Sequence, residues 1–368
     1  MISNVLVVYH HLPNYRYSVF SSLQEQQNTS FHFAADDTSR DGTIPTLNHS
    51  HVRHFHKLRN SWIGPFLWQH GLIKVLMDRQ WDAVIFLGDY SHITTWLGAT
   101  LMRIRRIPIA YWTIGWHRPE SGIRKWVRMT FYSLANRLLL YGHDAQRIGQ
   151  MMGYPMSRMG VIGNSSGTPD DEAELIDPGQ PQRQPQVVGA AIRLNQVKRL
   201  DLLIRAVAIL RDEGRQVEIA LLGTGPEEER LKSLAKELEV PLHIQPPAYD
   251  ELTLVRFYQN CSATVVPSAA GLTVTQSMRY GRPVITHDDP WEQMPEYDAI
   301  RPGATGALYK KGSLKSLARG IESVLDGQHN DWTRYRDACH QEIRERWTGP
   351  VQAQAIMREL TALVSTMS

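Results

Sequence analysis

The sequence has too few cysteines for a disulfide scaffold or a structural zinc site. Its two cysteines, Cys261 and Cys339, fit no metal-ligand spacing, so they indicate a reducing compartment. No apolar run approaches the roughly eighteen residues that a membrane-spanning helix requires. The first residues, MISNVLVVYHHLPNYR, lack a basic segment followed by a long apolar one. They predict a core strand rather than a signal peptide.

Charge is distributed unevenly along the 368 residues. Residues 1–160 contain 17 of the 40 basic residues and 9 of the 37 acidic residues, and the remainder contains 23 basic and 28 acidic residues. Eleven of the 15 histidines also lie in the first part. This split predicts that the first part faces something anionic. Nucleic acid is one candidate, but no recognition module is present and the aromatic residues follow α/β periodicity, so we expect no nucleic-acid partner.

Short apolar runs alternate with amphipathic ones, a pattern typical of parallel sheets covered by helices. We predict an α/β protein with two Rossmann-like, doubly wound domains, 1–164 and 187–345, that face each other across a cleft. The polar, Pro-rich and Gly-rich residues 165–186 predict a linker. Residues 346–368 predict a C-terminal helix that can cross back to the first domain.

Several element boundaries follow from the same patterns. Helices are predicted after Pro65, in the segment WIGPFLWQHGLIKVLMDRQW, and from Gly122 to Leu140. Strands are predicted at 4–9, 31–36, 52–58, 82–90, 107–115, 186–192, 216–223, 263–266 and 283–286.

The stretch from 263 to 286 predicts a strand, a turn of small residues, a helix and a second strand. In parallel sheets such turns bind ligands. The backbone N–H groups of Gly271, Leu272 and Thr273 would begin the helix, and a helix N-terminus favours an anion. An ordinary βα turn would have the same pattern.

Two more loops are expected at the same sheet edge. Arg193 and Lys198 lie between a strand and a helix, where two cations can hold a diphosphate. Gly223 begins a Gly-Thr-Gly-Pro turn after the next strand. Two solvated charges and a tight turn are the alternatives. Directed at one point, these groups would stabilise a departing nucleoside diphosphate, the main electrostatic task in glycosyl transfer.

The segments RLNQVKRLD, LLGTGPEEERL and PSAAGLTVTQSMRYGRPVI, in this order, resemble the family-4 retaining glycosyltransferases of the GT-B fold. The first half also resembles bacterial members of this family that build surface polysaccharides such as lipopolysaccharide. The similar segments are NYRYSVFSSL, FLGDY, AYWTIGW and LLLYG. The resemblance implies an enzyme that moves a hexosyl or deoxyhexosyl group from a nucleotide sugar to a glycan, lipid-linked in this branch. The first domain would bind the acceptor and the second the donor.

The resemblance also assigns donor-side residues. Arg193 and Lys198 would be catalytic and hold the pyrophosphate. The amides of Gly271, Leu272 and Thr273 would contact the distal phosphate and the sugar, near Gly223.

Two family glutamates, eight positions apart, fall on Ser268 and Gln276 here. Gln276 can still hydrogen-bond a ribose hydroxyl. In THDDPWEQMPE, Glu296 resembles a family Pro-Glu signature and is the first candidate to replace the lost carboxylate. Asp288, Asp289 and Glu292 are further candidates, and a solvated acidic loop is the alternative.

Acceptor-side candidates follow strands of the first domain. They are His11, Asn14, Tyr15, Arg16, Asp89 and His117. The family's histidine before the glycine of AYWTIGWH is Ile114 here, and His117 is the nearest substitute. A single histidine is more often structural than catalytic.

The resemblance implies no metal and no cofactor, because cations and the helix dipole stabilise the leaving group. No Asp-x-Asp pair is present. In a retaining transfer the departing phosphate can take the acceptor's proton, so no protein base is required. Because both glutamates are missing, a non-catalytic nucleotide-sugar or glycan-binding protein is the alternative function.

A basic, aromatic run at 103–132 suggests a peripheral membrane surface. Rings and cations suit the interface of an anionic bilayer. We expect a cytoplasmic protein on the inner face of the membrane; the alternative is that the tryptophans pack in the core. The run includes Arg103, Arg105, Arg106, Trp112, Trp116, Arg124, Lys125, Trp126 and Arg128.

Overall fold

The computed structural model describes residues 2–40, 45–78, 81–165, 175–181, 185–248 and 250–365. The chain forms two compact units, Met1–Ala173 with Arg346–Ser368, and Glu174–Glu345. Of the predicted linker, residues 166–174 and 182–184 lie outside the described part.

The first unit is built on a parallel sheet. The strands of this unit are β1 (Asn4–His11), β2 (Ser30–Asp36), β3 (Phe55–Lys57), β4 (Arg59–Ile63), β5 (Phe66–His70), β6 (Ala83–Leu87), β7 (Ile109–Thr113), β8 (Arg137–Leu140) and β9 (Met159–Val161). Of these, β4 and β5 form a separate hairpin. Seven of them pair in the order β3-β2-β1-β6-β7-β8-β9. The central β1 is buried on both faces, which explains its continuous apolar run.

Helices cover both faces of this sheet. They are α1 (Tyr17–Gln24), α2 (Leu72–Asp78), α3 (Ile93–Ile104), α4 (Gly122–Leu134) and α5 (His143–Met151). One apolar core lies under α1, and a second lies under α2 to α5.

The second unit repeats the plan with six parallel strands. They are β10 (Gln186–Ala191), β11 (Val217–Leu222), β12 (Leu242–Gln245), β13 (Ala263–Val265), β14 (Val284–His287) and β15 (Gly306–Tyr309). Their order is β12-β11-β10-β13-β14-β15. The helices are α6 (Leu200–Asp212), α7 (Glu228–Glu237), α8 (Glu251–Asn260), α9 (Thr273–Arg279), α10 (Leu314–Asn330) and α11 (Trp332–Arg346). The predicted α/β class with two Rossmann-like halves is confirmed.

The last helix, α12 (Gly349–Ser365), belongs to the first unit. It packs on α1 so closely that a Cβ at Gly349 would lie 2.6 Å from the Ser18 carbonyl carbon. The Gln352 side chain accepts hydrogen bonds from the Ser165 amide and hydroxyl at 3.0 and 2.7 Å. None of the helices in the described part is long and apolar enough to cross a bilayer.

The helix predicted after Pro65 is wrong for residues 66–70, which form β5 of the hairpin, whereas residues 72–78 of the same segment form the helix α2. Leu67 and Gln69 are buried whereas Phe66, Trp68 and His70 are exposed, which is the alternation of a strand. The turn uses Gly64 at φ +58°.

The helix predicted from Gly122 to Leu140 is also too long. It ends at Leu134, and residues 137–140 form the strand β8. Its sequence, RLLL, is a short apolar run whose periodicity does not distinguish a buried strand from a helix.

Candidate functional site

The candidate donor site of the second unit lies where the strand order reverses. β11 and β12 extend from one side of β10, while β13 lies on its other side. All six strands are parallel, so the loops after β10 and β13 leave the same sheet edge. Ligands of open α/β sheets bind at such a switch point.

Lys198 joins these two loops. Its Nζ donates a hydrogen bond to the carbonyl oxygen of Ala269 at 3.3 Å. The Asn195 side chain accepts from the Lys198 amide at 3.2 Å and so fixes the short turn that presents the lysine. Burial lowers the pKa of Lys198 from its ordinary value, because a half-buried ammonium loses hydration. No carboxylate of the described residues forms an ion pair with it.

Arg193 precedes Lys198 on the same loop and is exposed. Within the described ranges its guanidinium makes no ion pair, unlike that of Arg199, which binds Asp201 at 3.1 Å. Arg193 is therefore the arginine of this loop whose donors are available to a ligand.

The Gly-Thr-Gly turn positions this loop. A Cβ at Gly223 would lie 3.0 Å from the carbonyl carbon of Ile192, and one at Gly225 would lie 2.6 Å from that of Leu194. Leu194 also donates to the Thr224 carbonyl at 3.0 Å. The glycines allow the close approach that holds Arg193 in place.

The loop after β13 is held by Gln293, which the sequence did not single out. Its Oε1 accepts from the Ala270 amide at 2.8 Å, and its Nε2 donates to Thr286 Oγ1 at 3.0 Å and to the His287 carbonyl at 2.9 Å. The Tyr309 hydroxyl donates to the Pro267 carbonyl at 2.6 Å. These contacts fix residues 267–271, although no sequence signal distinguishes Gln293 from a surface glutamine.

Glu296 lies beside the same loop. It is 1% exposed, and a Cβ at Gly271 would lie 4.0 Å from its Oε2. The other acids of this segment differ: Asp289 and Glu292 bind Lys311 at 2.8 and 2.6 Å in a surface network. Glu296 is thus the buried carboxylate of the segment next to the predicted phosphate-binding turn.

Ser268 and Gln276 occupy the positions of the two missing family glutamates. The Ser268 hydroxyl is buried without a hydrogen-bond partner among the described residues. Gln276 is half-buried on α9. Leu272 precedes α9, and Thr273 begins it with its hydroxyl 3.5 Å from the Ala191 carbonyl. The role of each remains a prediction.

The first unit has its own switch point, between β1 and β6. His11 is buried at the end of β1, with its ring 4.4 Å from that of His10. His92, which the sequence did not single out, lies 5.7 Å from His10. Burial, and then the neighbouring His11 and His92, lower the pKa of His10 from 6.5 to about 3. Trp62 packs edge-on against His10 and His92.

The other acceptor-side candidates differ from one another in exposure and in hydrogen bonding. Asn14 and His117 are exposed and Tyr15 is half-buried. The Asp89 carboxylate accepts from the Ser91 amide and hydroxyl at 2.8 Å, so it caps its own turn. Arg16 is buried beneath this edge.

The prediction of a membrane surface at 103–132 is wrong for two of its tryptophans. Trp112 and Trp116 are buried in the core, so they do not reach a bilayer. Arg128 binds Glu120 at 2.8 Å. Trp126, by contrast, is 67% exposed on α4.

The second half of the chain is similar in sequence to known proteins. Residues 171–346 match the family model Glycosyl transferases group 1, a little under half of the chain. A glycogen synthase of Francisella philomiragia subsp. philomiragia is 29% identical over 168 residues, 42% of this chain and 34% of the synthase. The chain thus spans about a third of the length of this curated relative.

Solved structures cover nearly the whole chain. Three examples are the lipopolysaccharide outer core galactosyltransferase WaaB in its apo form (15% identity, TM-score 0.72, 97% of this chain and 99% of that one), Anabaena Alr3699/HepE in complex with UDP (16%, 0.68, 98% and 100%), and a glycosyltransferase from Rickettsia africae ESF-5 (11%, 0.71, 98% and 98%). At such identities the likeness establishes the fold, and the predicted GT-B fold is confirmed. Together the comparisons show a GT-B fold and, in the second half, similarity to glycosyl transferases group 1.

Proposed function

We propose that this protein is a metal-independent retaining glycosyltransferase. It moves a hexosyl or deoxyhexosyl group from a nucleoside-diphosphate sugar to a glycan, lipid-linked, in the synthesis of a surface polysaccharide such as lipopolysaccharide. The observation that carries the proposal is the contact of Lys198 with the loop after β13, beside the exposed Arg193, at the switch point of the second sheet.

The donor's diphosphate would bind between these two loops. Neither Arg193 nor Lys198 has an acidic partner among the described residues, so both charges are available to an anion. Arg193 would bind two phosphate oxygens through its planar fork, and Lys198 would add a point charge. Both interactions strengthen as the diphosphate departs with the bonding electrons, and this lowers the barrier without a metal.

The transferred sugar would lie against Glu296. A buried carboxylate next to the Gly271 turn is a strong acceptor for sugar hydroxyls. In this interpretation Glu296 takes the place of the carboxylate that is absent at Ser268, and Gln293 keeps the backbone of the turn in position.

Calorimetric titration with UDP, GDP and their common sugar conjugates tests the donor site. Arg193→Ala and Lys198→Ala are each expected to weaken binding by roughly tenfold or more, about 1.4 kcal/mol. Arg205→Ala is the matched control, because Arg205 is an exposed arginine on α6 away from the loop. If Arg205→Ala weakens binding as much as the other two, general charge rather than a specific site explains the affinity.

The acceptor side would be the first unit, docked on an anionic membrane. The first turns of α4 are exposed, with Ile123 at 76% and Trp126 at 67%. Arg124 and Lys125 lie between them, and α4 contains no acidic residue. Apolar rings and chains flanked by cations suit the interface of a bilayer that contains anionic lipids.

Flotation with vesicles tests this surface. The pair Arg124→Gln and Lys125→Gln is expected to lose about 2 kcal/mol of binding to anionic vesicles, roughly thirtyfold. Arg205→Gln with Lys236→Gln removes the same charge from the second unit and is expected to bind normally. Equal binding of neutral and anionic vesicles by the wild type contradicts the proposal.

We place the protein on the cytoplasmic face of the membrane. Both cysteines are buried free thiols, as expected in a reducing compartment. Redox state and fractionation of the native protein test this placement.

A non-catalytic nucleotide-sugar or glycan-binding protein is the second candidate, favoured by Ser268 and Gln276 at the glutamate positions. The two functions differ in turnover. Donor binding without release of the nucleoside diphosphate, in the presence of membranes that contain acceptor, would favour the second candidate.

A further inference from the structure

Arg16 is a buried cation that the proposed transfer chemistry does not use. It is 4% exposed and follows β1 in the first unit. Its Nη2 donates to the Tyr141 hydroxyl at 2.9 Å. Its Nε and Nη1 are buried and have no hydrogen-bond partner among the described residues. A buried donor without a partner requires an explanation, which is often an unseen water or ion.

Aromatic rings surround the guanidinium but leave its Nε and Nη1 without a hydrogen-bond partner in the described part of the chain. Its central carbon lies 5.3, 5.2 and 5.0 Å from the ring centroids of Tyr15, Trp112 and Tyr141. Cation–π attraction acts between the charge and the face of each ring. The N–H groups of Nε and Nη1 point outward in the plane of the guanidinium, where they require an acceptor.

The groups around Arg16 do not offset the positive charge of its guanidinium. No carboxylate of the described residues forms an ion pair with Arg16. Arg16 is also the N-cap of α1, and the N-terminal end of a helix carries partial positive charge. The indole N–H of Trp112 is buried nearby, and it too has no hydrogen-bond partner in the described part of the chain.

We propose that Arg16 forms the base of an anion-binding site in the first unit that binds an oxyanion of the phosphate class. The unpaired N–H groups of Nε and Nη1 lie on different edges of the guanidinium, and each edge offers a charge-assisted hydrogen bond to an oxygen of the anion. The site lies in the first unit, whereas the proposed donor site lies in the second, and it goes beyond the proposed transfer. Its anion is either free inorganic phosphate or the phosphate group of a lipid-linked acceptor.

Thermal unfolding at constant ionic strength tests the site, with bulky gluconate replaced stepwise by inorganic phosphate or by decyl phosphate below its micellar concentration. A saturable rise in Tm of about 4 °C is expected at an anion concentration far above Kd. Arg16→Gln should abolish the rise. Arg59→Gln, a change of an exposed arginine in the same unit, should retain it.

The two probes distinguish the sources. Saturation by inorganic phosphate identifies a free ion, and saturation by decyl phosphate alone identifies a phosphate monoester of the acceptor. No saturable rise with either, or the same rise in Arg16→Gln, overturns the proposal. Because Arg16 lies in the first unit and the proposed donor groups Arg193 and Lys198 lie in the second, titration with UDP or GDP separates failure of this site from failure of the proposed donor site.

A crystal of the wild-type protein soaked in arsenate gives a result that does not depend on the folding of a variant. An anomalous arsenic peak is expected with an oxygen of the arsenate within about 3 Å of Arg16 Nε or Nη1. Water or a protein group on both nitrogens would overturn the proposal.

Discussion

Replacement of Gly225 by alanine should disturb the donor site without removing any charged group. An ideal Cβ at this position would lie 2.6 Å from the Leu194 carbonyl carbon and 3.0 Å from its Cα. The Leu194 carbonyl oxygen would lie closer still, so the Leu194 backbone would have to retreat by about 1.3 Å to reach ordinary van der Waals contact. Arg193 is the preceding residue, so the guanidinium would move with it.

The energetic effect follows from two contributions. Overpacking of a close backbone contact costs about 1–3 kcal/mol. The retreat also strains the hydrogen bonds from Leu194 N to Thr224 O and from Glu227 N to Leu194 O, at 3.0 and 3.1 Å, each worth about 1 kcal/mol. We expect a loss of about 3 kcal/mol, and therefore a Tm lower by about 6–12 °C for a folding unit of roughly 150–250 residues.

Calorimetry of unfolding and titration with the bound nucleotide together measure both effects. Donor affinity should fall about tenfold or more, because a displacement near 1 Å spoils bidentate geometry. Gly320→Ala is the matched control: its Cβ would lie 3.6 Å from Ile285, and the site is helical. This variant should be as stable as the wild type or about 0.5–1 kcal/mol more stable. Unchanged Tm and affinity in Gly225→Ala would refute the reasoning.

Three other outcomes are expected. Gln293→Ala should lower the free energy of unfolding by about 2–3 kcal/mol, since the Ala270 N–H and the His287 carbonyl lose a buried partner. Urea unfolding measures this loss, and an unchanged midpoint would contradict the role of Gln293 in holding the loop after β13. Binding of a diphosphate should raise the lowered pKa of Lys198, so the protein should take up protons at pH values between the pKa of the free protein and 10.5. Calorimetric titration in buffers of different ionisation heat detects this uptake, and Lys198→Ala should abolish it. Because burial lowers the pKa of His10 from 6.5 to about 3, the unfolded state binds more protons in that window. Stability should therefore fall by up to about 1.4 kcal/mol per unit as pH drops below 6.5, and less in His10→Asn. An equal acid slope in that variant would exclude His10 as the cause.

The order of strands and helices was predictable from sequence wherever one face of an element is buried. Residues 4–9, 31–36 and 186–192 gave apolar runs because central parallel strands are covered on both faces. The hairpin at 59–70 was not recognised, because its Trp and Leu residues also fit a helical spacing.

Contacts between distant residues could not be predicted in this way. The loop that contains Arg193 was expected from its position after a strand, but its support by Gln293 and the glycine turn depends on how loops stack. Likewise, Trp112 and Trp126 are chemically alike in the sequence, yet one is in the core and the other is exposed. Burial of a given side chain is a property of the whole fold rather than of its local pattern.

The two sheets place uncompensated cations at corresponding positions, and this has a physical reason. Each sheet reverses its strand order once, between β1 and β6 and between β10 and β13, where helices diverge and leave the edge uncovered by a crossing loop. Arg16 follows β1 and Lys198 follows β10. Removing a cation from water without an acid beside it is unfavourable for folding. A cation retained at such an edge is therefore better explained by a ligand that supplies the missing charge than by stability of the free protein. The same criterion separates Lys198 from Arg199, whose charge Asp201 already compensates.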